Sequence, residues 1–440
     1  ICFAFREAAM DNQQSMKQFL FIWIGQALSL LGSRLVHFAL IWWLTKETES
    51  ATMLALASLV GLLPELALGP LAGVLVDRWN RRHVMLAADA LVALSTLLLG
   101  YLFWIGVAQI GHVLVILFVR SLGNAFHWPA MQASMTMMVP EKHLTRFQGL
   151  NQTLNGALNV AAAPLGAILL ELLPMQGIIA IDVGTALFAI VPLLLIDIPQ
   201  PVREVAAGAQ LSSVWTDLAD GLAYVRGRRG LMILISMAVV INLVLSPSFS
   251  LLPLLVRVHF EGGALQLGWL ESASGLGLVL GGMLLTAWGG FRRRIFTSQM
   301  GIFGLGASVL VVGLTPPTAL PLAIGALFVT GLAMGLANGP IFAIVQATVK
   351  PEIQGRVFTL LTSLVMAMTP LGLLVAGPLA DRFGVQLWYV TGGAVTLIVA
   401  TSGFFSPALM NIEEEGKEET QAKDVPAAVA PPLAGRSEVG

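Results

Sequence analysis

The sequence predicts an all-α membrane protein in which twelve transmembrane helices form two pseudo-symmetric halves of six helices each. Three observations predict this fold. The 440 residues are 56% hydrophobic and only 11% charged, whereas soluble domains carry about 25% charged residues. Twelve mostly apolar stretches have the length of about 20 residues or more that a bilayer-spanning helix needs. Landmarks of the first half recur in the second half at a nearly constant offset.

The predicted spans lie between clusters of charge. They cover 17–44, 52–76, 83–104, 111–137, 147–170 and 178–198, then 229–257, 266–288, 296–314, 320–349, 356–380 and 386–409. The chain divides into an N-terminal segment (1–16), a first half (17–198), a linker (199–228), a second half (229–410) and a tail (411–440). The segment before Phe19 lacks the apolar core of a signal peptide, so no cleaved leader is expected. The tail is polar and is expected to be disordered.

The basic residues predict the orientation. Nineteen of the 24 Lys and Arg residues fall in segments on one side of the predicted membrane, and three fall on the other. Since Lys and Arg are enriched in cytoplasmic loops, both termini are expected to face the cytoplasm.

The internal repeat pairs residues that are separated by roughly half the chain. The pairs, 206 to 211 positions apart, are Trp79 and Trp288, Leu117 and Leu327, Pro129 and Pro340, Pro140 and Pro351, and Pro164 and Pro370. The offset indicates two homologous halves in the same orientation, which is one plan of secondary transporters.

The linker contains apolar residues at helical spacing. They are Leu211, Val214, Trp215, Leu218, Leu222 and Val225, and Asp217 and Asp220 lie on the other side. This pattern predicts an amphipathic helix on the membrane surface. The alternative is a linker that only joins the halves.

A charged turn separates the second and third spans. It reads Gly73-Val-Leu-Val-Asp77-Arg78-Trp-Asn80-Arg81-Arg82. Asp77 ends the second span, where it could meet the N-terminus of another helix, whose free N–H groups attract an anion. The corresponding turn of the second half has Thr286 in place of the aspartate, so that turn is expected to lack an anionic contact.

This turn resembles the signature loop of the major facilitator superfamily, G-x-x-x-D-R/K-x-G-R-K/R. The resemblance implies that Gly73, Asp77, Arg78, Arg81 and Arg82 form a conformational latch. In that family the aspartate holds the cytoplasmic side closed and the basic residues tie the loop to the inner surface. Asn80 departs from the family's second glycine, and we expect it to adopt the left-handed conformation that Asn tolerates.

Further stretches resemble the bacterial macrolide-efflux branch, whose members are drug–proton antiporters. They are Ile24–Leu30, Leu117–Ala130, Ile178–Val183, Gly355–Leu360 and Ala380–Val385. The resemblance covers about residues 20 to 405 and implies a protein of the bacterial plasma membrane. It also implies a role in proton coupling for Arg120, although a structural salt bridge between helices is an equally open reading.

Ionisable groups within the predicted spans are costly and therefore require explanation. Glu65 follows Pro64 near the middle of span 2, where a kink would leave polar space. It is a candidate proton carrier or a docking site for cationic drugs. Asp182 and Glu271 lie near the outer ends of their predicted spans and could be solvated, capping or transport residues. Asp89 is expected to support the basic loop.

Polar residues at helical spacing predict the lining of a substrate cavity. The candidates are Gln26, Ser29, Ser33 and His37 in span 1, Asn124 in span 4, and Asn155 and Asn159 in span 5. Arg34 lies beside the span 1 face. The asparagines of span 5 could equally serve hydrogen bonds between helices.

The leading hypothesis is secondary active export of hydrophobic or amphipathic drugs of the macrolide type, driven by protons and working by alternating access. The alternatives are transport of a defined metabolite or siderophore, and a membrane receptor that transports nothing. No phosphate-binding loop supports an ATP-driven pump, and no nucleophile–base arrangement supports an enzyme. Expected partners are a small hydrophobic substrate, protons and the bilayer, without nucleic acid, metal or cofactor, and the chain is expected to be monomeric.

Overall fold

The computed structural model describes residues 2–200 and 211–414, and the regular structure in these residues is helical. The first half contains α1 (Cys2–Thr48), α2 (Ala51–Arg78), α3 (Arg81–Trp104), α4 (Ile110–Met138), α5 (Glu141–Leu172) and α6 (Met175–Leu195). Helix α1 begins well before the predicted span, so the predicted N-terminal segment is helical from Cys2 onward.

The linker contains α7 (Leu211–Arg226), and the second half follows it. Its helices are α8 (Arg229–Ser250), a short α9 (Leu252–Leu254) that runs into a π-helical turn (Leu255–His259), α10 (Ala264–Trp288), α11 (Arg294–Leu314), α12 (Leu320–Thr348), α13 (Pro351–Phe383), α14 (Val385–Phe404) and α15 (Pro407–Met410). Twelve helices in the described residues are long and apolar enough to cross a membrane. The predicted fold class is therefore confirmed.

The turn at Asn80 differs from the prediction. Asn80 has φ −70° and ψ 112°, an extended conformation, and its side chain accepts the backbone N–H of His83 to cap α3. The expectation of a left-handed residue is wrong, because an N-cap has extended rather than left-handed torsions. In the second half Gly289 and Gly290 do take positive φ angles, of 81° and 78°.

The predicted linker helix is present as α7 and packs against α13. Asp220 accepts a hydrogen bond from Arg356 at 2.8 Å, and Val225 is buried. Residues 201–210 of the predicted linker and 415–440 of the predicted disordered tail lie outside the described residues.

The two ends of the helix bundle differ in how the halves meet. We call the end that carries the turns at 78–81, 138–141, 288–294 and 348–351 the basic end, and the other the opposite end. At the opposite end the Asp381 carboxylate of α13 accepts the N–H groups of Ala51 and Thr52 at 2.5 and 3.0 Å, and the Ser50 hydroxyl at 2.9 Å. An ion pair of 2.9 Å between Arg257 and Glu49 adds a second polar link there.

Helix packing between the halves is also close toward the opposite end. A Cβ added to Gly377 of α13 would lie 3.0 Å from the Thr52 Cα, and one added to Gly268 of α10 would lie 3.1 Å from the Pro164 Cα. Nearer the basic end, Gly73, Gly149 and Gly355 have no neighbouring heavy atom within 4 Å of the corresponding position. The helices α2, α5 and α13 therefore pack closely against the other half near the opposite end. At the three glycines nearer the basic end they do not.

Candidate functional site

A cavity of about 390 Å³ lies within the first half, between α1, α2, α3, α4, α5 and α6. Six of the seven predicted cavity residues line it: Gln26, Ser29, Ser33, His37, Asn124 and Asn155. Asn159 is not among the lining residues; its backbone carbonyl lies against Gly275 of α10. The role of the six residues in substrate binding stays a prediction.

An ion pair between Arg120 and Asp182 lies at this cavity. The Arg120 Nη1 atom is 2.6 Å from Asp182 Oδ2, and the same nitrogen donates to Thr96 Oγ1 at 2.7 Å. Ser33 Oγ donates to the other carboxylate oxygen at 3.1 Å, and its backbone carbonyl accepts from Arg120 Nη2. The Asp182 side chain is only 4% exposed. We call Ser33, Thr96, Arg120 and Asp182 the arginine layer.

The position of Asp182 differs from the two simplest expectations for it. It is neither solvated nor a helix cap, because α6 begins at Met175, ahead of the predicted span, and Asp182 consequently lies almost two turns inside the helix. A desolvated carboxylate needs a countercharge and hydrogen bonds. Arg120 of α4 supplies the countercharge, and Ser33 of α1 donates a hydrogen bond. The structural salt bridge considered for Arg120 is thus present, and its role in coupling stays a prediction.

A second polar cluster lies closer to the basic end. The Asp89 carboxylate accepts Gln26 Nε2 at 2.8 Å on one oxygen, and His127 Nε2 lies 3.3 Å from the other. The two side chains are 13% and 17% exposed. Asp89 therefore faces the cavity and does not support the basic loop as expected. We call Gln26, Asp89 and His127 the histidine layer.

The two layers are related by a common spacing on three helices. Ser33 follows Gln26 by seven residues on α1, Thr96 follows Asp89 by seven on α3, and His127 follows Arg120 by seven on α4. Seven residues are nearly two helical turns and correspond to about 10 Å of rise. The side chains of the two layers consequently lie on the same faces, one above the other.

Two further charged residues line the cavity. Glu65 of α2 and Arg34 of α1 are exposed to it. Within the described residues neither side chain has a hydrogen bond or an ion pair, and the two therefore do not contact each other. Glu65 is therefore free to interact with a ligand or a proton, as its candidate roles require.

In the second half, Glu271 of α10 is an isolated carboxylate. It lies almost two turns inside the helix, on the side that faces away from exposed Trp269. The described residues offer it no hydrogen bond and no ion pair. Asp182, by contrast, has both an ion pair and hydrogen bonds.

The charged turn forms its basic contacts within the first half. Arg81 donates to the Ala133 carbonyl at 2.9 Å, and Arg82 donates to the Leu193 carbonyl at 2.6 Å and pairs with Asp197. The Asp77 side chain is 73% exposed, and its nearest cation is Arg81 at 3.8 Å. No helix N-terminus in the described part of the chain contacts it, and the latch stays a prediction for a state in which the basic end is closed.

Asp89 and His127 were missed as site residues, although the sequence holds a signal for them, and a transport role for Asp182 was one of three left open. The three pairs of polar residues at a spacing of seven could have been found on each helix separately. Which helices face one another could not be obtained from these spacings.

Twelve spanning helices in two repeated halves, with buried charges around an internal cavity, define a transporter of the secondary type. The family model of the Major Facilitator Superfamily matches residues 22–373, and the chain belongs to that family. It is 32% identical over 396 residues to Macrolide efflux protein A of Streptococcus pyogenes, which covers 89% of this chain and 96% of the relative. It is 26% identical over 397 residues to Multidrug efflux pump Tap of Mycolicibacterium fortuitum, with 88% and 95% covered.

Solved structures agree with the fold. A bacterial homologue of the human lysosomal transporter Spinster, in an inward-facing and unoccupied conformation, superposes with a TM-score of 0.65 at 15% identity and covers 92% of this chain and 98% of its own. The nucleoside transporter NupG, as a D323A mutant, has a TM-score of 0.64 at 13% identity, with 89% and 98% covered.

Proposed function

We propose that this protein exports hydrophobic or amphipathic drugs of the macrolide type in exchange for protons, by alternating access. The observation that carries the proposal is the buried Arg120–Asp182 pair at a cavity inside an apolar bundle. The names of the efflux relatives support the drug as substrate. In this proposal the protein works as a monomer in the bacterial plasma membrane.

The proton would act on Asp182, because an arginine stays protonated in proteins. When Asp182 takes up a proton, its attraction to Arg120 is lost and the contacts between α4 and α6 weaken. Glu65, which has no partner among the described residues, would bind the proton or the amine of a cationic drug. Binding of one cation would oppose binding of the other at the same carboxylate, which is the requirement for exchange.

The basic end would face the cytoplasm, in accordance with the distribution of Lys and Arg. Contacts between the halves at the opposite end then close the external side, while the cavity is reached from within. In the alternate state Asp77 would latch the basic end shut. Since both states must be populated in transport, each set of contacts has to be weak enough to break.

Growth inhibition and reconstitution test this function. Expression in a drug-sensitive bacterium is expected to raise the inhibitory concentration of macrolides, whereas the Arg120→Ala variant is expected not to. In proteoliposomes, a macrolide should move protons in the opposite direction. If cells with and without the protein are inhibited at the same concentration of every macrolide and dye tested, drug export is contradicted. Substrate movement that ignores a pH gradient would contradict proton exchange, and no movement of any tested compound would favour a receptor.

A further inference from the structure

The histidine layer has the features of a site that gains and loses one proton. His127 Nε2 is buried without a hydrogen bond and lies 3.3 Å from Asp89 Oδ1, an oxygen that accepts no hydrogen bond from another described residue. The second Asp89 oxygen is held by the amide of Gln26. The carboxylate is thereby oriented, while its contact with the imidazole can change with the proton on Nε2.

The two layers respond differently to a proton. Adding one to Asp182 removes the countercharge of a buried arginine, which is unfavourable. Adding one to His127 creates an imidazolium beside a carboxylate and takes the pair from a net charge of −1 to zero. Histidine is also the side chain that ordinarily titrates between pH 5 and 8. Protonation is therefore more favourable in the histidine layer than in the arginine layer.

Few other charged groups in the cavity could bind the proton in place of His127. The uncharged polar residues that line the same cavity include Gln26 of α1, Asn124 of α4 and Asn151 of α5, whose Oδ1 accepts from Trp23 at 2.6 Å. The other charged or titratable groups that line the cavity are Arg34, His37, Glu65, Arg120 and Asp182. Arg120 and Asp182 belong to the arginine layer, about 10 Å away along the helices.

We propose that His127 and Asp89 form a second proton-binding site of the transporter, between the arginine layer and the basic end. This proposal rests on the proposed proton exchange. A proton that leaves Asp182 binds His127 Nε2 to give the imidazolium paired with Asp89. It then leaves for water at the basic end, which restores the neutral imidazole. The O–H bond of Asp182 breaks as the N–H bond of His127 forms, and that N–H bond breaks as water takes up the proton. No electron is transferred.

Two assays on the same proteoliposomes test the proposal, with erythromycin, a macrolide that carries a tertiary amine, as the probe. Accumulation driven by a pH gradient needs net proton movement, whereas exchange of labelled for unlabelled erythromycin without a gradient does not. We expect His127→Gln and Asp89→Asn to lower the ratio of driven accumulation to exchange by about tenfold, within the usual range of coupling. Asp89→Glu is expected to recover part of that ratio. The control His83→Gln, on the exposed first turn of α3, is expected to keep it.

Each outcome has a separate meaning. An unchanged ratio in His127→Gln and Asp89→Asn would overturn the second site and leave proton exchange standing. If both variants lose both driven accumulation and exchange, the pair has a structural role, and this result would also overturn the second site. If the wild-type protein exchanges erythromycin but ignores the gradient, the proposed proton exchange itself fails. If it does neither, the macrolide assignment fails.

Discussion

The carboxylate of Asp381 accepts the backbone N–H of Thr52 at 3.0 Å, although 329 residues separate the two along the chain. Through this contact and those with Ser50 and Ala51, a side chain of the second half satisfies free N–H groups at the start of α2 in the first half. A carboxylate at this position also interacts favourably with the positive end of the helix dipole. The packing of the two halves at the opposite end thus includes a helix terminus of one half that a carboxylate of the other half caps.

Replacing Asp381 should favour opening of the opposite end. Loss of a capping side chain costs about 1 kcal/mol, so Asp381→Ala is expected to shift the population toward the opened state about fivefold. Spin labels at Glu47 and Thr318, one on each half at this end, would report a longer mean distance. The control is Arg382→Ala, which removes an adjacent exposed side chain. Identical distance distributions for Asp381→Ala and the wild type would contradict a closing role.

Breaking the Arg120–Asp182 pair from one side should destabilise the protein. Asp182→Ala leaves a buried guanidinium without its countercharge, at a cost of about 3–5 kcal/mol. The double variant Arg120→Met/Asp182→Ala removes both charges and should unfold at a higher temperature than Asp182→Ala alone. Thermal unfolding in detergent, followed by tryptophan fluorescence, measures the difference. If the double variant is the less stable of the two, the pair is not the source of the effect.

Replacing Glu271 should not destabilise the protein, in contrast to replacing Asp182. The Glu271 carboxyl group has no hydrogen bond or ion pair among the described residues, so Glu271→Gln removes the cost of desolvating a carboxylate without breaking a contact. The unfolding temperature of this variant is expected to equal or exceed that of the wild type. A matched comparison is Asp182→Asn, which is expected to be less stable. A marked loss of stability in Glu271→Gln would mean that the carboxylate is satisfied in the native protein.

Glu65 should affect the pH dependence of transport. As a carboxylate without a partner that faces the cavity, it is expected to carry a proton or a drug cation. The glutamine of Glu65→Gln stays neutral, so it can neither take up and release a proton nor attract a cation. Efflux measured between pH 6 and 8 should lose much of its pH dependence in this variant. The control Glu47→Gln, at the opposite end, should behave as the wild type. Unaltered pH dependence in Glu65→Gln would exclude the role.

Asp77 should matter for the state with the basic end closed. Its side chain is largely exposed here, so Asp77→Asn is expected to leave insertion and thermal stability unchanged while reducing transport. Drug efflux together with the amount of protein in the membrane separates these effects. Efflux equal to that of the wild type would reduce the turn to a signal of topology.

The spans and the repeat could be predicted because bilayer thickness fixes the length of an apolar helix, and because duplication leaves paired prolines at the same offset. Depth was harder. Helix α6 begins at Met175 and not at the predicted 178, and α3 begins at Arg81 and not at 83. Asp182 and Asp89 lie deeper than expected as a result, and their partners on α4 depend on packing that no local pattern specifies. Asn80 was misjudged because a capping role and a left-handed turn favour the same residue type.

The spacing of seven residues makes the helical register of the first half a functional property. Insertion or deletion of a single residue between Gln26 and Ser33, Asp89 and Thr96, or Arg120 and His127 would turn one layer by about 100° relative to the other. Such a change could preserve an apolar span of adequate length and still disconnect the arginine layer from the histidine layer. Natural variation in chain length is therefore expected in the loops and at the helix ends, and not within these three intervals.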